Sequence, residues 1–537
     1  MRKYLTSVSG ADQRRYYSAG EWQATTLLDL ARQRAESAPD SLAVADSRRR
    51  LTNTEFVRAV ATMAGLLRER GVVAGDPVVI QLRNEVAYPI AQIAINAVGA
   101  VFVAVPTSTS PSAIAAVAER VGAVTLVTSA ELASRTSDEA PPLPVVVDVA
   151  ELWDRFDKGQ VGWNVEESLA DPDEPVNILF SSGTTGLPKG IINTTNTQLA
   201  AVRHFVSEIG FGAEDAWLVV PPMAHNAGWL YSFMPAFVAG ASAVLQERFD
   251  PTQTLELLAR EKIRAVFLTP THASDVLSAL DVASDHPTTV RHILIGGAAT
   301  PQQMKQQLRE RLGANVVSIY GATENQAATY TRPGADPEHA DLTVGWPCPS
   351  TEVAIIGDDR RTLMPANTVG EIATRGPGTF AGYFADQAAT DAAFNRDGWF
   401  LTGDLGVLDE QGALRIAGRR KELIIRGGHN IAPEDVENAL DGHPLLSRVA
   451  AVGIPDARLG EIVCAVVIAD RDVELVELTA FLSERGVSKY LWPEAVFRVA
   501  EFPLTDIGKV QRRRLATLAA EAANKGTIES NAAKARV

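Results

Sequence analysis

Short runs of apolar and β-branched residues alternate with segments of helical periodicity over most of the chain. The helical pattern is clearest near the start, where apolar residues recur every three or four positions at Leu27, Leu28, Leu30, Ala31, Phe56, Val60, Met63 and Leu67. The strands predicted before residue 344 are Val78–Leu82, Val101–Val105, Val124–Thr128, Val145–Val149, Trp217–Val220, Ala243–Leu245, Ala265–Leu268, Ile293–Ile295 and Val316–Tyr320. Strands that alternate with helices are typical of βαβ units, so we expect largely parallel, buried sheets.

The pattern changes near residue 344 and again near residue 421. The first change introduces short strands separated by turns, at Val353–Ile356, Gly370–Thr374, Leu405–Leu408 and Leu414–Ala417. We therefore expect an α/β protein whose large N-terminal domain, residues 1–420, has mainly parallel sheets and a small β-rich subdomain at about 344–420. A small α+β domain would follow at 421–524, with a flexible tail at 525–537.

Composition narrows the classes of function. The 537 residues are 46% hydrophobic and 21% charged, which is typical of a soluble globular protein with more than one domain. The formal net charge of −15 argues against nonspecific nucleic-acid binding, which needs a basic surface. Polar residues interrupt the apolar run Pro89–Pro106, so we expect a helix and a strand there instead of a membrane span. Two distant cysteines, Cys348 and Cys464, and a start without an apolar signal segment favour the cytoplasm.

One loop carries the groups that bind phosphate. The segment Ile178–Gly190 reads ILFSSGTTGLPKG, an apolar strand followed by three glycines, four hydroxyl residues and Lys189. Glycines let backbone N–H groups approach a ligand, while hydroxyls and the lysine add donors and charge. The spacing is not that of a Walker A loop, and the loop could also be a mobile surface turn.

Five further stretches contribute polar and charged side chains beside glycines. They are Tyr320–Glu324 (YGATE), Trp399–Asp404 (WFLTGD), Gly418–Glu422 (GRRKE), Arg426–Asn430 (RGGHN) and Thr505–Lys509 (TDIGK). Taken singly, Asp404 could cap a turn and Lys509 could be a surface lysine. Their joint occurrence in this order does not fit that account.

Together these motifs resemble those of the adenylate-forming superfamily of acyl-CoA synthetases, peptide-synthetase adenylation domains and luciferases. The resemblance extends from about residue 25 to about residue 515. It implies that a carboxylic acid attacks the α-phosphate of ATP to give acyl-AMP and pyrophosphate, and that a thiol then takes the acyl group. It also implies that the large N-terminal domain binds ATP and the acid, and that the small C-terminal domain is mobile and pivots about a hinge between the two steps.

The resemblance further implies roles for individual residues around ATP. Those that would hold the nucleotide and its phosphates are Thr184, Thr185, Lys189, Gly297, Ala298, Tyr320, Thr323, Asp404 and Arg419. Tyr320 would stack on adenine, Thr323 would touch the α-phosphate, and Asp404 would accept the ribose hydroxyls. Glu324 would help to bind Mg²⁺.

The same resemblance assigns the moving parts. Lys509 would bridge the acid carboxylate and the α-phosphate, and Lys421 would be the hinge. After rotation, Gly427 and Gly428 would lie beside the pantetheine arm of CoA or of a carrier protein. Relatives commonly have an acidic residue after this glycine pair, whereas this chain has His429.

The acid pocket is expected around the segment Pro221–Trp229 and the turn that begins at Gly296. The residues assigned to it are His225, Asn226, Trp229, Leu230, Gly296 and Gly321, with His225 beside the acid carboxylate. Trp229 could instead pack in the core. No aspartate follows His225 to pair with an amine, so a free α-amino acid is disfavoured.

The segment AHNAGWLYSF resembles ligases for alicyclic and medium-chain acids, so the prediction is a CoA ligase for a cyclic or medium-length acid. The His–Asn pair and the opening RYYSAGEW also resemble 2,3-dihydroxybenzoate and salicylate AMP ligases, which load a carrier protein. That alternative is weakened by the phosphate loop, which reads SSGTTG where those enzymes usually have SGGSTG. A non-catalytic acyl-nucleotide sensor would be expected to lack Lys509 or Glu324. A luciferase-like oxygenase would share the first half-reaction.

Overall fold

The structure is a computed structural model that describes residues 8–133, 143–180, 189–282, 289–505, 508–525 and 528–530. Its helices, in chain order, are α1 (Gly10–Ser18), α2 (Leu27–Ser37), α3 (Asn53–Glu69), α4 (Ala87–Ala97), α5 (Pro111–Val121), α6 (Ala130–Ala133), α7 (Val149–Asp157), α8 (Thr195–Ile209), α9 (Met234–Val238), α10 (Pro251–Arg260), α11 (Pro270–Val282), α12 (Gln302–Leu312), α13 (Pro337–Leu342), α14 (Gln387–Ala393), α15 (Pro433–Leu440), α16 (Leu475–Glu484) and α17 (Arg512–Asn524). Among the described helices, none is both long and apolar enough to cross a membrane.

The strands are short, as the sequence predicts for βαβ units. In chain order they are β1 (Leu42–Ala45), β2 (Arg50–Thr52), β3 (Pro77–Gln81), β4 (Val101–Ala104), β5 (Thr125–Thr128), β6 (Val145–Asp148), β7 (Pro175–Phe180), β8 (Gly190–Thr194), β9 (Ala216–Val219), β10 (Ser242–Leu245), β11 (Ala265–Leu268), β12 (His292–Gly296), β13 (Asn315–Ala322), β14 (Gln326–Tyr330), β15 (Trp346–Pro347), β16 (Glu352–Ile356), β17 (Gly370–Arg375), β18 (Gly382–Tyr383), β19 (Phe400–Leu408), β20 (Leu414–Arg419), β21 (Ile424–Arg426), β22 (His429–Ile431), β23 (Arg448–Asp456), β24 (Gly460–Ile468), β25 (Ala495–Arg498) and β26 (Glu529–Ser530). Every predicted strand is present, and the largest difference is that β19 begins five residues earlier than expected.

Two mainly parallel sheets dominate the N-terminal part. One has the strand order β18-β8-β7-β4-β3-β5-β6, and the other has the order β15-β14-β13-β12-β11-β9-β10-β1-β2. The pairs among β7, β4, β3, β5 and β6 are parallel, as are those from β13 to β1 in the second sheet. The expected α/β fold with parallel sheets is therefore confirmed.

The largest apolar core lies between these two sheets. All residues of α4 are buried, which explains why the apolar run Pro89–Pro106 reads as a buried helix and strand. Helix α8 contacts β8 of one sheet and β14 of the other, so it ties them together. It begins with a buried capping box, in which the side chain of Thr194 accepts a hydrogen bond from the backbone of Thr197.

Two smaller sheets follow in the chain. Strands β16, β17, β19 and β20 form an antiparallel sheet that corresponds to the expected β-rich subdomain. The C-terminal sheet has the path β22-β21-β24-β25-β26, with β23 also paired to β24. Its last strand, Glu529–Ser530, pairs with β25, so the expectation of a flexible tail from residue 525 does not hold at these residues.

The hairpin of β13 and β14 leaves no space beside Gly321. The pairing shifts register between Tyr320 and Gly321, which brings the backbone of Gln326 close. A Cβ at Gly321 would lie 1.6 Å from the carbonyl oxygen of Gln326 and 2.9 Å from the hydroxyl of Tyr231. Because a backbone atom cannot move away as a flexible side chain can, glycine is required there.

Replacement of Gly321 by alanine is expected to lower the free energy of unfolding by about 1–3 kcal/mol, because the new methyl group must displace the hairpin. Urea unfolding followed by circular dichroism measures this change. Gly212→Ala is the matched control, since a Cβ at Gly212 would meet no atom within 4 Å. Equal stability of the two variants would contradict the tight packing of the hairpin.

Candidate active site

Asp404 is the centre of a cluster at the end of strand β13. Its carboxylate accepts a hydrogen bond from the hydroxyl of Tyr320 at 2.9 Å and forms an ion pair with Nε of Arg419 at 2.8 Å. Asp404 lies on β19, and Arg419 is its partner on β20. Burial and the neighbouring carboxylate raise the pKa of Tyr320 well above its ordinary value, so its hydroxyl remains a donor. Sheet pairing thus holds the acceptor beside the cation, and the hydrogen bond from Tyr320, which belongs to another sheet, joins the aromatic ring to them.

Lys509 from the C-terminal part of the chain reaches the same cluster. Burial, and after it the positive charge of Arg419, lower the pKa of its ammonium group to about 8, while Glu422 and Asp404 oppose the shift. These influences place Lys509 within electrostatic range of Arg419 and Asp404. Two cations that repel each other favour the binding of an anion between them.

A second group forms on the side of the phosphate loop. The ammonium group of Lys189 lies 4.3 Å from the centre of the Tyr383 ring, and the hydroxyl of Tyr383 donates to Glu324 at 3.1 Å. Burial raises the pKa of Glu324, and the Tyr383 hydrogen bond and the charge of Lys189 act against that rise. Thr184 and Thr185, the other residues predicted to hold phosphate, lie outside the described residues.

The remaining predicted nucleotide contacts lie at the carboxyl ends of neighbouring parallel strands. Strand β12 ends at Gly296, and Gly297 and Ala298 follow it as exposed residues. Gly297 has a φ of +88°, and a Cβ at Gly296 would lie only 2.7 Å from the carbonyl oxygen of Ile319 on β13. Thr323 follows β13 itself and is half-buried. These ends form one edge, as is usual for ligand sites in open α/β sheets.

The segment that carries His225 is a tight turn. The backbone N–H of His225 donates to Pro222, and a Cβ at Gly228 would lie 2.4 Å from the carbonyl oxygens of Pro221 and Pro222. The buried side chain of Asn84 fastens this turn from the other sheet. Its amide nitrogen donates to the carbonyl of Pro221 at 2.9 Å, and its oxygen accepts from the N–H of Met223 at 2.9 Å.

A chain of side-chain amides fixes the orientation of Asn226. The amide nitrogen of Gln326 donates to the carbonyl oxygen of Thr323, which can only accept, so the oxygen of Gln326 is left to accept from Asn226 at 3.1 Å. The same nitrogen also donates to Asn193. The oxygen of Asn226 is consequently a buried acceptor that finds no donor among the described residues. A donor group on a ligand would satisfy it.

Trp229 and Leu230 were both predicted to line the acid pocket, but their side chains lie in different surroundings in the structure. The ring of Trp229 is 2% exposed, stacks on Phe233 at 5.0 Å and donates from Nε1 to Gln198 at 3.2 Å. Trp229 therefore packs in the core, as the alternative interpretation of the sequence allowed, because its ring and its single donor are both satisfied there. Leu230 lines a small apolar cavity with Ala201, Val202, Phe205, Tyr231, Pro235, Leu294, Ile319 and Ala327.

The residues predicted for the hinge and for the thiol lie on the surface of the C-terminal part. Lys421 is exposed and lies two residues after the end of β20. Gly427 and Gly428 form the exposed turn between β21 and β22, both with positive φ, at +54° and +85°. The backbone N–H of Gly427 donates to Leu459 in the same sheet region. This arrangement brings Lys509 to the Asp404 cluster and leaves the glycine turn in its own domain.

Sequence reasoning did not identify Tyr383, Gln326, Asn84 or Thr271 as parts of the site. Tyr383 connects Lys189 with Glu324, and Gln326 and Asn84 orient the turn at Asn226. Thr271 contacts the residue before Lys509. Tyr383 follows Gly382 and Gln326 lies two residues after the YGATE motif, but nothing in the local sequence shows which groups they contact, so only the fold reveals their roles.

Both parts of the chain match models of one enzyme family. The model described as AMP-binding enzyme matches residues 31–384, and the model of the AMP-binding enzyme C-terminal domain matches residues 435–509. The chain is 30% identical over 526 residues to the medium-chain fatty-acid–CoA ligase of Escherichia coli (strain K12), covering 93% of this chain and 92% of the relative. It is also 30% identical over 524 residues to a salicyl-AMP ligase/salicyl-S-ArCP synthetase of Mycobacterium tuberculosis, covering 93% and 92%.

A solved structure has the same fold. The o-succinylbenzoate coenzyme A synthetase of Bacillus subtilis, in complex with ATP and a magnesium ion, superposes with a TM-score of 0.80 at 28% identity. The match covers 90% of this chain and 98% of that one. Because the family models match both parts of the chain and the relatives match nearly its whole length, this protein belongs to the adenylate-forming, AMP-binding enzymes and is an AMP-forming ligase.

Proposed function

We propose that this enzyme activates a cyclic or medium-length carboxylic acid with ATP and transfers the acyl group to CoA. The observation that carries the proposal is the placement of the loop before Lys509, because the carbonyl of Gly508 accepts a hydrogen bond from Thr271, which follows strand β11 at the same edge of the sheet as Gly297. The charge of Lys509 is within electrostatic range of Arg419 and Asp404. An acid and an α-phosphate are both anions. Their approach requires cations at the point of reaction, and this cluster supplies two.

In the first half-reaction the acid carboxylate attacks the α-phosphorus, forms an acyl–phosphate bond and releases pyrophosphate. Lys509 would stand between the two anions, and Lys189 would neutralise charge on the leaving pyrophosphate. Asp404 is an acceptor suited to the ribose hydroxyls, and it is already oriented by Tyr320 and Arg419. Thr184, Thr185 and Thr323 would add donors to the phosphates, and Gly297 and Ala298 would line the nucleotide site.

The residues present fit a magnesium ion at Glu324. The described part of the chain contains no cluster of three or more His, Cys, Asp or Glu residues that could hold a metal alone. Mg²⁺ commonly binds through one or two carboxylates together with substrate phosphates, so a single buried carboxylate is sufficient. When bound, the ion would neutralise phosphate charge. Its positive charge would also favour the carboxylate form of Glu324, whose pKa is raised by burial.

In the second half-reaction a thiolate attacks the acyl carbon, forms the thioester and releases AMP. The described arrangement has Lys509 at the site and the glycine turn away from it, which suits the first step. We propose that the domain after Lys421 rotates and brings Gly427 and Gly428 beside the pantetheine arm. Both glycines are exposed, so a narrow arm can pass them closely.

The two cysteines are buried free thiols, which is compatible with the cytoplasm that we propose as the location.

The class of acid follows from the walls of the pocket. The side chains beside the His225–Asn226 turn are apolar or aromatic, as at Leu230 and at Tyr231, whose ring stacks on Phe267 at 5.5 Å, and such surroundings favour an acid with a hydrocarbon body over one with a second charge. One observation favours a second candidate, a hydroxylated aryl acid that is loaded onto a carrier protein. The oxygen of Asn226 needs a donor, and a ring hydroxyl would supply one. The salicyl-AMP relative is named for such an acid.

Pyrophosphate exchange into ATP, measured across a panel of acids, tests the activity and separates the two candidates. We expect exchange with octanoate, cyclohexanecarboxylate or benzoate. A clear preference for salicylate or 2,3-dihydroxybenzoate would favour the second candidate. Asn226→Leu should then lower exchange with salicylate selectively, because it removes the acceptor while keeping a similar volume. No exchange with any panel acid would contradict the proposed function.

The acceptor is tested by following the acyl-AMP after it forms. Free CoA is expected to convert it to acyl-CoA without any added protein, and chromatography of the products measures this. Accumulation of acyl-AMP with CoA, followed by its consumption with a phosphopantetheinylated aryl carrier protein, would show that the carrier protein is the acceptor.

The rate of acyl-AMP formation should depend on pH through Lys509. The ammonium form is the active one, so kcat/KM for pyrophosphate exchange should be constant below the free-enzyme pKa of about 8 and fall above it. Measurement between about pH 6 and pH 10 defines this alkaline limb. Lys509→Arg should lower the rate but abolish the limb, because a guanidinium stays charged over this range. A limb that persists unchanged in the arginine variant would assign it to another group.

Two substitutions should separate the half-reactions. Lys509→Ala removes the charge needed only for adenylation, so acyl-AMP formation should fall by about two orders of magnitude or more while transfer from supplied acyl-AMP continues. Lys421→Pro restricts the hinge and should slow thioester formation instead. Single-turnover assays of each step measure both effects. Equal loss of both steps in both variants would contradict domain alternation.

A further inference from the structure

A hydroxyl group near the start of helix α11 joins the N-terminal part of the chain to the loop that carries Lys509. The hydroxyl of Thr271 donates to the carbonyl oxygen of Gly508 at 2.6 Å. It also accepts a hydrogen bond from Nη2 of Arg448 at 3.3 Å. Gly508 and Arg448 both belong to the C-terminal part, whereas Thr271 belongs to the large N-terminal part. One side chain therefore contacts two segments of the opposite domain.

The contact is placed one residue before Lys509. Gly508 has a φ of +74°, and a Cβ there would lie 3.2 Å from Cβ of Thr271 and 3.5 Å from the hydroxyl of Thr269. The loop backbone thus passes directly over the first residues of α11. Because the peptide after Gly508 includes the nitrogen of Lys509, fixing the Gly508 carbonyl fixes the plane from which the Lys509 side chain extends.

Hydrogen bonds also tie Lys509 to described residues that precede it in the loop. The N–H of Thr505 donates to the carbonyl of Lys509, and the N–H of Lys509 donates to the hydroxyl of Thr505 at 3.1 Å. The amide of Gln511 donates to the carbonyl of Leu504 at 2.7 Å. Lys509 is therefore held both by Thr505 and, through the adjoining peptide, by the anchor at Gly508.

Arg448 supports the anchor from the C-terminal sheet. Its guanidinium lies 5.2 Å from the centre of the Phe502 ring, at the beginning of the loop. Burial raises the pKa of Asp275, one turn further along α11, and the charge of Arg448 opposes that rise. Arg448 is therefore within electrostatic range of a carboxylate on the same helix as Thr271.

We propose that Thr271 is a positioning residue for the first half-reaction, which holds Lys509 at the reacting anions by binding the Gly508 carbonyl. Arg448 orients the Thr271 hydroxyl for this contact. The contact exists only while the C-terminal domain is in the described arrangement, so it favours adenylation over thioester formation. The proposal rests on the proposed function, since it assumes that Lys509 acts on an acid and ATP.

Thr271→Val tests the proposal, because valine has nearly the same shape as threonine without the hydroxyl. We expect the single-turnover rate of acyl-AMP formation to fall about three- to tenfold, the range for loss of one hydrogen bond. The KM for the acid should change little, because Thr271 is not among the residues assigned to the acid pocket. Thioester formation from supplied acyl-AMP should be unchanged or faster. Thr271→Ser keeps the hydroxyl and should restore the adenylation rate.

The matched control is Ser278→Ala on the same helix. Ser278 is exposed, and its hydroxyl donates to the carbonyl of Ser274, so its removal takes away a hydroxyl without touching the C-terminal domain. It should leave both half-reactions unchanged. An unchanged adenylation rate in Thr271→Val, an equal loss of both half-reactions, or a failure of Thr271→Ser to restore the rate would each overturn the proposal.

A distance measurement keeps the test independent of the acid. Cysteines are introduced at the exposed positions Ser278 and Asp470 and are spin-labelled, and pulsed electron resonance then measures the distance between the two domains. The native Cys348 and Cys464 are buried, so the labelling reagent should react with the introduced cysteines. Without substrates, Thr271→Val should broaden the distance distribution relative to the otherwise unsubstituted labelled protein and to Thr271→Ser. Identical distributions would overturn the proposal. Absence of pyrophosphate exchange by the unsubstituted enzyme with every panel acid would defeat the proposed function instead, and these distances would then decide the role of Thr271 alone.

Discussion

A buried carboxylate must be surrounded by donors or cations, and the way in which Asp404 meets this requirement organises the site. Its hydroxyl donor comes from the end of a strand in a parallel sheet, and its cation comes from the neighbouring strand of the β subdomain. The ring, the acceptor and the cation therefore cannot move independently. These three groups are held by the protein itself, which would reduce the cost of ordering them around a substrate.

The parts of the site contributed by motifs could be predicted because glycines and charged residues are unusual at the ends of apolar strands. Tyr320, Glu324 and Asp404 all follow or occupy strands whose β-branched runs are plain in the sequence. The strand pattern also predicted the parallel sheets, since buried parallel strands need continuous apolar runs. Among the strands that were not predicted, β1 and β2 are short and lie inside a region dominated by helical periodicity.

The rest depended on contacts between residues far apart in the chain. Nothing near Tyr383 marks it as the neighbour of both Lys189 and Glu324, and Asn84 reaches its turn from another sheet. Trp229 shows the opposite error, in which a residue is assigned to the site because its neighbours in sequence are. Its ring instead packs in the apolar core beneath the segment. Local sequence gives the types of group, while tertiary pairing decides which of them meet.

Helix α8 has a consequence for how the molecule loses its structure. Since it packs on both large sheets at once, neither sheet can separate from it without exposing the shared apolar core. The two sheets should consequently unfold as one cooperative unit. The C-terminal sheet has apolar clusters of its own, and the hydroxyl of Thr271 is one of the groups that join it to the larger unit. Since these clusters are separate from the shared core, a rotation of the C-terminal domain such as the one proposed above would leave both cores intact.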